Sequence, residues 1–221
     1  MTAFASVVID VDSTLCGVEG IDFLAERRGP EISVEILALT DQAMKGEIPL
    51  ESVYGHRLTM IQPTRDDIEA LAAAYEQSVA PGAAESIAAM RSAGVRLALV
   101  SGGIREAILP VARGLGFADE DLHAVSLHFD HRGSYASFDV SSPLTNQLGK
   151  PELVGRLIAS GRLPRAVLAV GDGMTDAKLA GTVDTFAVYT GFARRASVAA
   201  LASLEISSFS VLAHTVLGAR G

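Results

Sequence analysis

The sequence predicts an α/β fold: a Rossmann-like parallel sheet with helices on both faces, a helical segment inserted after strand one, and a small β-hairpin. Three observations carry this. Short apolar runs at Val7-Val8-Ile9, at 95–100 and at 166–170 each end in glycine or polar residues, as strands buried on both faces do. From residue 82 onward, apolar runs alternate with amphipathic stretches. Between the first run and residue 79 there are only helical patterns.

The elements follow in order. After the first strand, residues 19–28 are amphipathic and stop at Gly29. Pro30 suits the first turn of a second helix, which runs to Lys45 and stops at Gly46. Pro49 opens a third helix reaching about Met60. Thr64, three residues before Asp67, starts a fourth with an Asp version of the capping box. Pro81-Gly82 then breaks the chain. A helix is expected over 82–93, a strand over 95–100 and a helix over 104–114. Residues 122–129 and 135–138, across His131-Arg132-Gly133, read as the two arms of the hairpin. A helix over 151–160 and a strand over 166–170 come next, and 176–180, 186–188 and 195–201 continue the alternation. This divides the chain into an α/β core, 1–15 with 79–221, and a helical insert, 16–78.

Composition narrows the function. The chain has 221 residues, 49% of them hydrophobic, and a net charge of −8. It can bury a large core, and it lacks the basic face that nucleic acid requires. No stretch approaches the ~18–20 apolar residues of a membrane span. The apolar start at 4–9 is too short for a signal peptide, so a cytoplasmic protein is expected. Cys16 is the single cysteine, which excludes an internal disulfide and a cysteine-rich zinc site. His56, His123, His128, His131 and His214 form no ligand pattern and read as structural or surface groups. A homodimer stays open.

In open parallel sheets, ligands bind beyond the carboxyl ends of the strands. The polar segments Asp10-Val11-Asp12-Ser13-Thr14, Ser101-Gly102-Gly103 and Gly171-Asp172-Gly173-Met174-Thr175-Asp176 all fall there. Uncatalysed hydrolysis of phosphate monoesters is extremely slow. Passing the phosphoryl group to a carboxylate divides it into two easier steps. Asp10 is placed for that attack, and Asp12, two residues on, points to the same side. A free Asp titrates near ~3.9, so Asp12 needs burial or neighbouring charge to serve as an acid. Asp10, Asp172 and Asp176 offer hard oxygen ligands suited to Mg²⁺. Ser101 and the Gly102 amide can cradle a phosphoryl oxygen, and Lys150 supplies a point charge.

These four elements, in this order, resemble the haloacid dehalogenase-like phosphatases. The insert is similar to the phosphoserine phosphatase branch in Glu19-Gly20-Ile21-Asp22, in Ala43-Met44-Lys45-Gly46 and in the segment from Arg57 to Pro63. The resemblance implies a Mg²⁺-dependent phosphomonoester hydrolase working through an aspartyl-phosphate, with O-phospho-L-serine as substrate. By the same resemblance Glu19 meets the substrate ammonium and Arg57 its carboxylate. Met44 and Arg195 lie near the substrate, and Thr175 near the phosphate. The Asp12 backbone carbonyl joins Asp10 and Asp172 around the metal, with Asp176 supporting it or Lys150. An amino acid carries one charge of each sign, and an acid facing a fork-shaped cation suits it.

Leu50 stands where the family often has phenylalanine, the segment 145–149 lacks a doubled glycine, and the loop around 189–192 is altered. These departures bear on substrate identity. Phosphotransfer to homoserine, or hydrolysis of another small phosphometabolite, stays open. A binding module without turnover would not need the Asp10/Asp12 pair.

Overall fold

The computed structural model describes residues 3–44, 48 and 50–218; the side chains of residues 41, 43, 44, 50 and 51 lie outside the description. Lys45, Gly46 and Pro49, expected to stop one helix and open the next, are outside the described residues. In chain order, the elements are β1 (Ser6–Ile9), α1 (Gly20–Glu26), α2 (Pro30–Met44), α3 (Leu50–Ile61), α4 (Arg65–Gln77) and α5 (Ala83–Ser92). There follow β2 (Arg96–Ile104), α6 (Arg105–Gly114), β3 (Leu122–Val125), β4 (Leu127–Phe129), β5 (Tyr135–Phe138) and α7 (Gly149–Ala159). The chain closes with β6 (Val167–Gly171), α8 (Met174–Ala177), β7 (Thr185–Tyr189), α9 (Ala196–Ala199), β8 (Leu204–Ile206) and α10 (Phe209–Leu217).

Six strands form one parallel sheet in the order β3-β2-β1-β6-β7-β8, with helices on both faces. The β-branched run of β1 is wholly buried between β2 and β6, as a central strand covered on both faces requires. From β1 the chain first builds outward through β2 and β3, then returns to the other side of β1 with β6. This reversal opens a crevice at the carboxyl ends of β1 and β6, the place where such sheets bind ligands.

Four helices occupy the interval between β1 and α5. The expected capping box is present: Thr64 Oγ1 accepts from the Asp67 amide, and Asp67 Oδ2 accepts from the Thr64 amide at 2.9 Å. Asp67 also pairs with Arg27 and Arg28, so one carboxylate joins the end of α1 to the start of α4. Burial opposes its charge, but Arg28, the Thr64 amide and Arg27 outweigh that and hold its pKa below the ordinary value. Gly29 takes a φ of 102° between α1 and α2, which a side chain would resist. Helix α4 buries Ile68, Leu71 and Tyr75 and packs on α6, anchoring the insert to the sheet-bearing part.

The structure corrects two expectations. Residues 122–129 are not one hairpin arm. Leu122–Val125 pairs in parallel with β2 at the sheet edge, and only Leu127–Phe129 pairs antiparallel with β5. A single alternating pattern hid the break at Ser126, where the chain leaves one sheet for another. The chain beyond residue 201 also carries β8 and α10. A three-residue edge strand leaves too short a pattern to read, and α10 is identified by its packing on α5.

Candidate active site

Asp10 directly follows β1, and its amide donates to Val170 of β6 at 3.0 Å. The chain then turns tightly: the amides of Leu15 and Cys16 donate back to the carbonyls of Asp10 and Val11. Ser13 adopts a φ of 51°, an uncommon conformation for a residue with a side chain. Its Oγ donates to Glu19 Oε1 at 2.6 Å. The loop therefore ties both aspartates of the first motif to the start of α1.

Strand β2 extends past its expected end and carries Ser101-Gly102-Gly103 within it. Its register against β3 shifts between Val100 and Ile104, an irregularity of the kind that re-aims side chains beside functional sites. Ser101 Oγ accepts from the Gly103 amide at 2.9 Å. At the head of α7, a Cβ on Gly149 would run into the Pro143 carbonyl, so only glycine fits beside Lys150. At the end of β6, a Cβ on Gly171 would strike the Asp176 side chain.

These constraints converge on Lys150. Its Nζ lies 2.7 Å from Asp10 Oδ1 and 2.6 Å from Asp176 Oδ1, with all three side chains nearly sealed from solvent. Burial opposes the ammonium charge, but Asp10 and Asp176 outweigh it and push the Lys150 pKa above its ordinary value. Asp10 is pushed upward by burial and by Asp176, with Lys150 pulling the other way. Asp176 Oδ2 accepts from the Gly173 amide at 3.0 Å, so it fixes both the lysine and the turn after β6.

Asp12 is held from the insert. Tyr75 Oη donates to its Oδ1 at 2.7 Å, and the Gly20 amide donates to its Oδ2 at 2.9 Å. Burial and Glu19 raise its pKa to about 6, against the lowering effect of those two donors. A carboxyl in that range carries a proton far more readily than a free Asp.

Eleven of the twelve sequence-predicted site residues meet around this point. Asp10, Asp12, Glu19, Arg57, Ser101, Gly102, Lys150, Asp172, Thr175, Asp176 and Arg195 line one cavity of about 440 Å³. Met44 ends α2, and its side chain lies outside the described part. Thr175 sits on α8, immediately before Lys150's partner Asp176. Arg195 bridges Glu19, at 3.1 Å, to Asp172 Oδ2. The second of these contacts is an ion pair without hydrogen-bond geometry. Glu19 and Arg57 both face the cavity that contains Asp10.

The sequence reading missed Tyr75, Thr40 and Tyr54. Tyr75 sits at an ordinary core spacing on α4, so nothing in the pattern marks its hydroxyl. Thr40 Oγ1 accepts from Arg57 Nη1 at 3.3 Å and donates to the Ile36 carbonyl at 2.9 Å. Tyr54 lines the cavity beside Arg57.

The cavity wall includes the carboxylates of Asp10, Asp12, Glu19, Asp22, Asp172 and Asp176 against the cations Lys150, Arg57 and Arg195. A phosphate dianion added to that surplus of acid calls for a further cation. Among the described residues, oxygens of Asp10, Asp172 and Asp176 lie within 4.8 Å of one another, and Asp172 Oδ2 is buried with no hydrogen bond. An all-oxygen donor set of this kind fits Mg²⁺. Asp176 already accepts from Lys150 and the Gly173 amide with its two oxygens, whereas Asp172 Oδ2 meets the Arg195 cation without a hydrogen bond.

Known proteins align with this architecture. The haloacid dehalogenase-like hydrolase profile matches residues 7–181. The chain is 35% identical to the chloroplastic phosphoserine phosphatase of Arabidopsis thaliana, over 96% of this chain and 71% of that protein. It is 33% identical to the phosphoserine phosphatase of Rattus norvegicus, over 92% of this chain and 89% of that protein. A crystal structure of a phosphoserine phosphohydrolase-like protein from Francisella tularensis superposes with a TM-score of 0.82 at 26% identity, covering 96% of this chain and 99% of the other. No described helix is long and apolar enough to cross a membrane. The chain belongs to the haloacid dehalogenase-like hydrolases, in their phosphoserine phosphatase branch.

Proposed function

We propose that the chain is a Mg²⁺-dependent phosphomonoester hydrolase that releases L-serine and phosphate from O-phospho-L-serine. The observation that carries the chemistry is the buried Lys150 ammonium, held between Asp10 and Asp176 at the strand tips. That arrangement sets Asp10 on the cavity wall beside a fixed positive charge that contacts only its Oδ1. Asp10 attacks the phosphorus and takes the phosphoryl group, while Asp12 gives its proton to the departing serine oxygen. Asp12 then accepts a proton from the water that attacks the acyl phosphate, restoring Asp10. Ser101 Oγ, the Gly102 amide, Thr175 and Lys150 hold the phosphoryl oxygens. Asp10, Asp172 and the Asp12 carbonyl would hold a Mg²⁺, whose charge would offset the negative charge that develops on the phosphoryl oxygens.

The substrate choice rests on the opposite wall. Glu19 and Arg57 give one acid and one guanidinium on the lining of the cavity that contains Asp10, which suits the ammonium and carboxylate of an amino acid. Residues 16–78 act as the cap over the catalytic core of 1–15 and 79–221, excluding water once substrate is bound. The test is phosphate release in Mg²⁺ from a panel of phosphoamino acids and an aryl phosphate, with and without homoserine. Phosphoserine is expected to be the fastest substrate, with homoserine having no effect. Turnover of phosphoserine no faster than the aryl phosphate would overturn the assignment, and phosphohomoserine formation would make the enzyme a phosphotransferase.

A further inference from the structure

Tyr54 stands on α3 one turn before Arg57 and lines the same cavity. Its side chain is 4% exposed, and among the described residues its Oη has no hydrogen-bond partner. Arg57 Nε is also buried, with no hydrogen-bond partner among the described residues. Buried donors left unpaired cost stability, so native structures rarely keep them without a purpose. Here two of them share one wall.

The surrounding contacts make both groups rigid. The Tyr54 ring packs on Phe138 of the hairpin, centroids 5.4 Å apart and tilted by 59°. The Arg57 guanidinium carbon lies 5.9 Å from the Tyr54 ring centroid, and its Nη1 is anchored on Thr40. Thr40 Oγ1 spends its own proton on the Ile36 carbonyl, so it cannot serve as a further donor to a ligand. Burial pushes the Tyr54 phenol well above its ordinary pKa, so it remains a neutral donor.

We propose that Tyr54 is a specificity-determining residue: its hydroxyl and Arg57 Nε together receive the carboxylate of the substrate. A carboxylate presents two oxygens, which matches two unpaired donors carried one helical turn apart on α3. An ammonium has no place against this wall, because it would meet the guanidinium. The inference rests on the phosphoserine reading above and adds the group that rejects phosphoesters lacking a carboxylate. A site built to hydrogen-bond a substrate group discriminates strongly against analogues without it, because its buried donors then stay unpaired.

The test is Tyr54→Phe, which keeps the ring and its packing on Phe138. Steady-state kinetics are measured on O-phospho-L-serine and on O-phosphoethanolamine, which differs only by the missing carboxylate. The ratio of the two kcat/KM values is expected to fall about tenfold or more in the variant, through the KM for phosphoserine. An unchanged ratio, whether both substrates slow equally or neither does, overturns the role. The wild-type ratio separates the two levels of inference. A wild-type ratio near one removes the phosphoserine reading and this one with it, whereas a high ratio that survives Tyr54→Phe removes only Tyr54.

Discussion

The two ends of the cavity are built differently. At the strand tips, Lys150 is bound by Asp10 and Asp176, Asp176 by the Gly173 amide, and Ser101 by the Gly103 amide. On the α3 wall, Arg57 Nε and Tyr54 Oη are buried and unpaired. The first end is organised before any substrate arrives, which is where fixed charges help a transition state most. In the proposed function the second end offers its donors to the ligand, so binding there separates one substrate from another. One end sets what reaction is possible, and the other sets on which molecule.

The sharpest way to break this contrast is at the strand tips. Asp10→Asn should reduce phosphate release by about three orders of magnitude or more, since the attacking oxygen is gone. Phosphoserine binding, followed by calorimetry, should persist because the α3 wall is untouched. Loss of binding along with turnover would mean that the two ends are not separable. Next in size is metal removal. Chelation should lower turnover by about a hundredfold or more, and Mg²⁺ should restore it. Activity that persists after exhaustive chelation would refute the reading of the acidic cluster.

Tyr75→Phe tests where the two ends meet, because an insert residue here holds Asp12. Misorienting a proton donor harms poor leaving groups most. The kcat for phosphoserine should therefore fall about tenfold, while the kcat for an aryl phosphate with a good leaving group falls much less. Equal losses on both substrates would mark Tyr75 as a packing residue only.

The smallest effect is expected at Asp67, away from the cavity. Asp67→Asn should destabilise the fold by about 1–2 kcal/mol at pH 7, as loss of a helix cap does, with kcat preserved. Its folded pKa is depressed, so its contribution is present above the unfolded value of ~3.9 and disappears as pH falls below it. The difference in thermal midpoint between wild type and variant should shrink accordingly on acidification. A constant difference across that window would show that charge is not what Asp67 contributes.

Much of this site was legible because its residues sit at strand ends and in helix caps, which leave local signatures. Asp10, Ser101 and Asp172 follow apolar runs, and Thr64 with Asp67 forms a helix start visible in four residues. Glu19 and Arg57 were legible only through family resemblance. Tyr75 and Tyr54 left no signal, because an aromatic residue at helical spacing looks the same whether its hydroxyl meets solvent, a carboxylate or a cavity. The 122–129 segment was misread for a related reason, since alternation marks a strand but not which sheet it joins.

The sequence by itself determined the order of strands and helices up to β7, apart from the 122–129 segment, and the residues available for phosphoryl chemistry, since period, caps and strand-end motifs are local properties of the chain. Tertiary structure alone decided which of those groups are paired. Lys150 meets Asp176 across 26 positions and Tyr75 meets Asp12 across 63. The sheet crossovers and the docking of α4 bring such distant groups together, and no local pattern encodes a contact made that way.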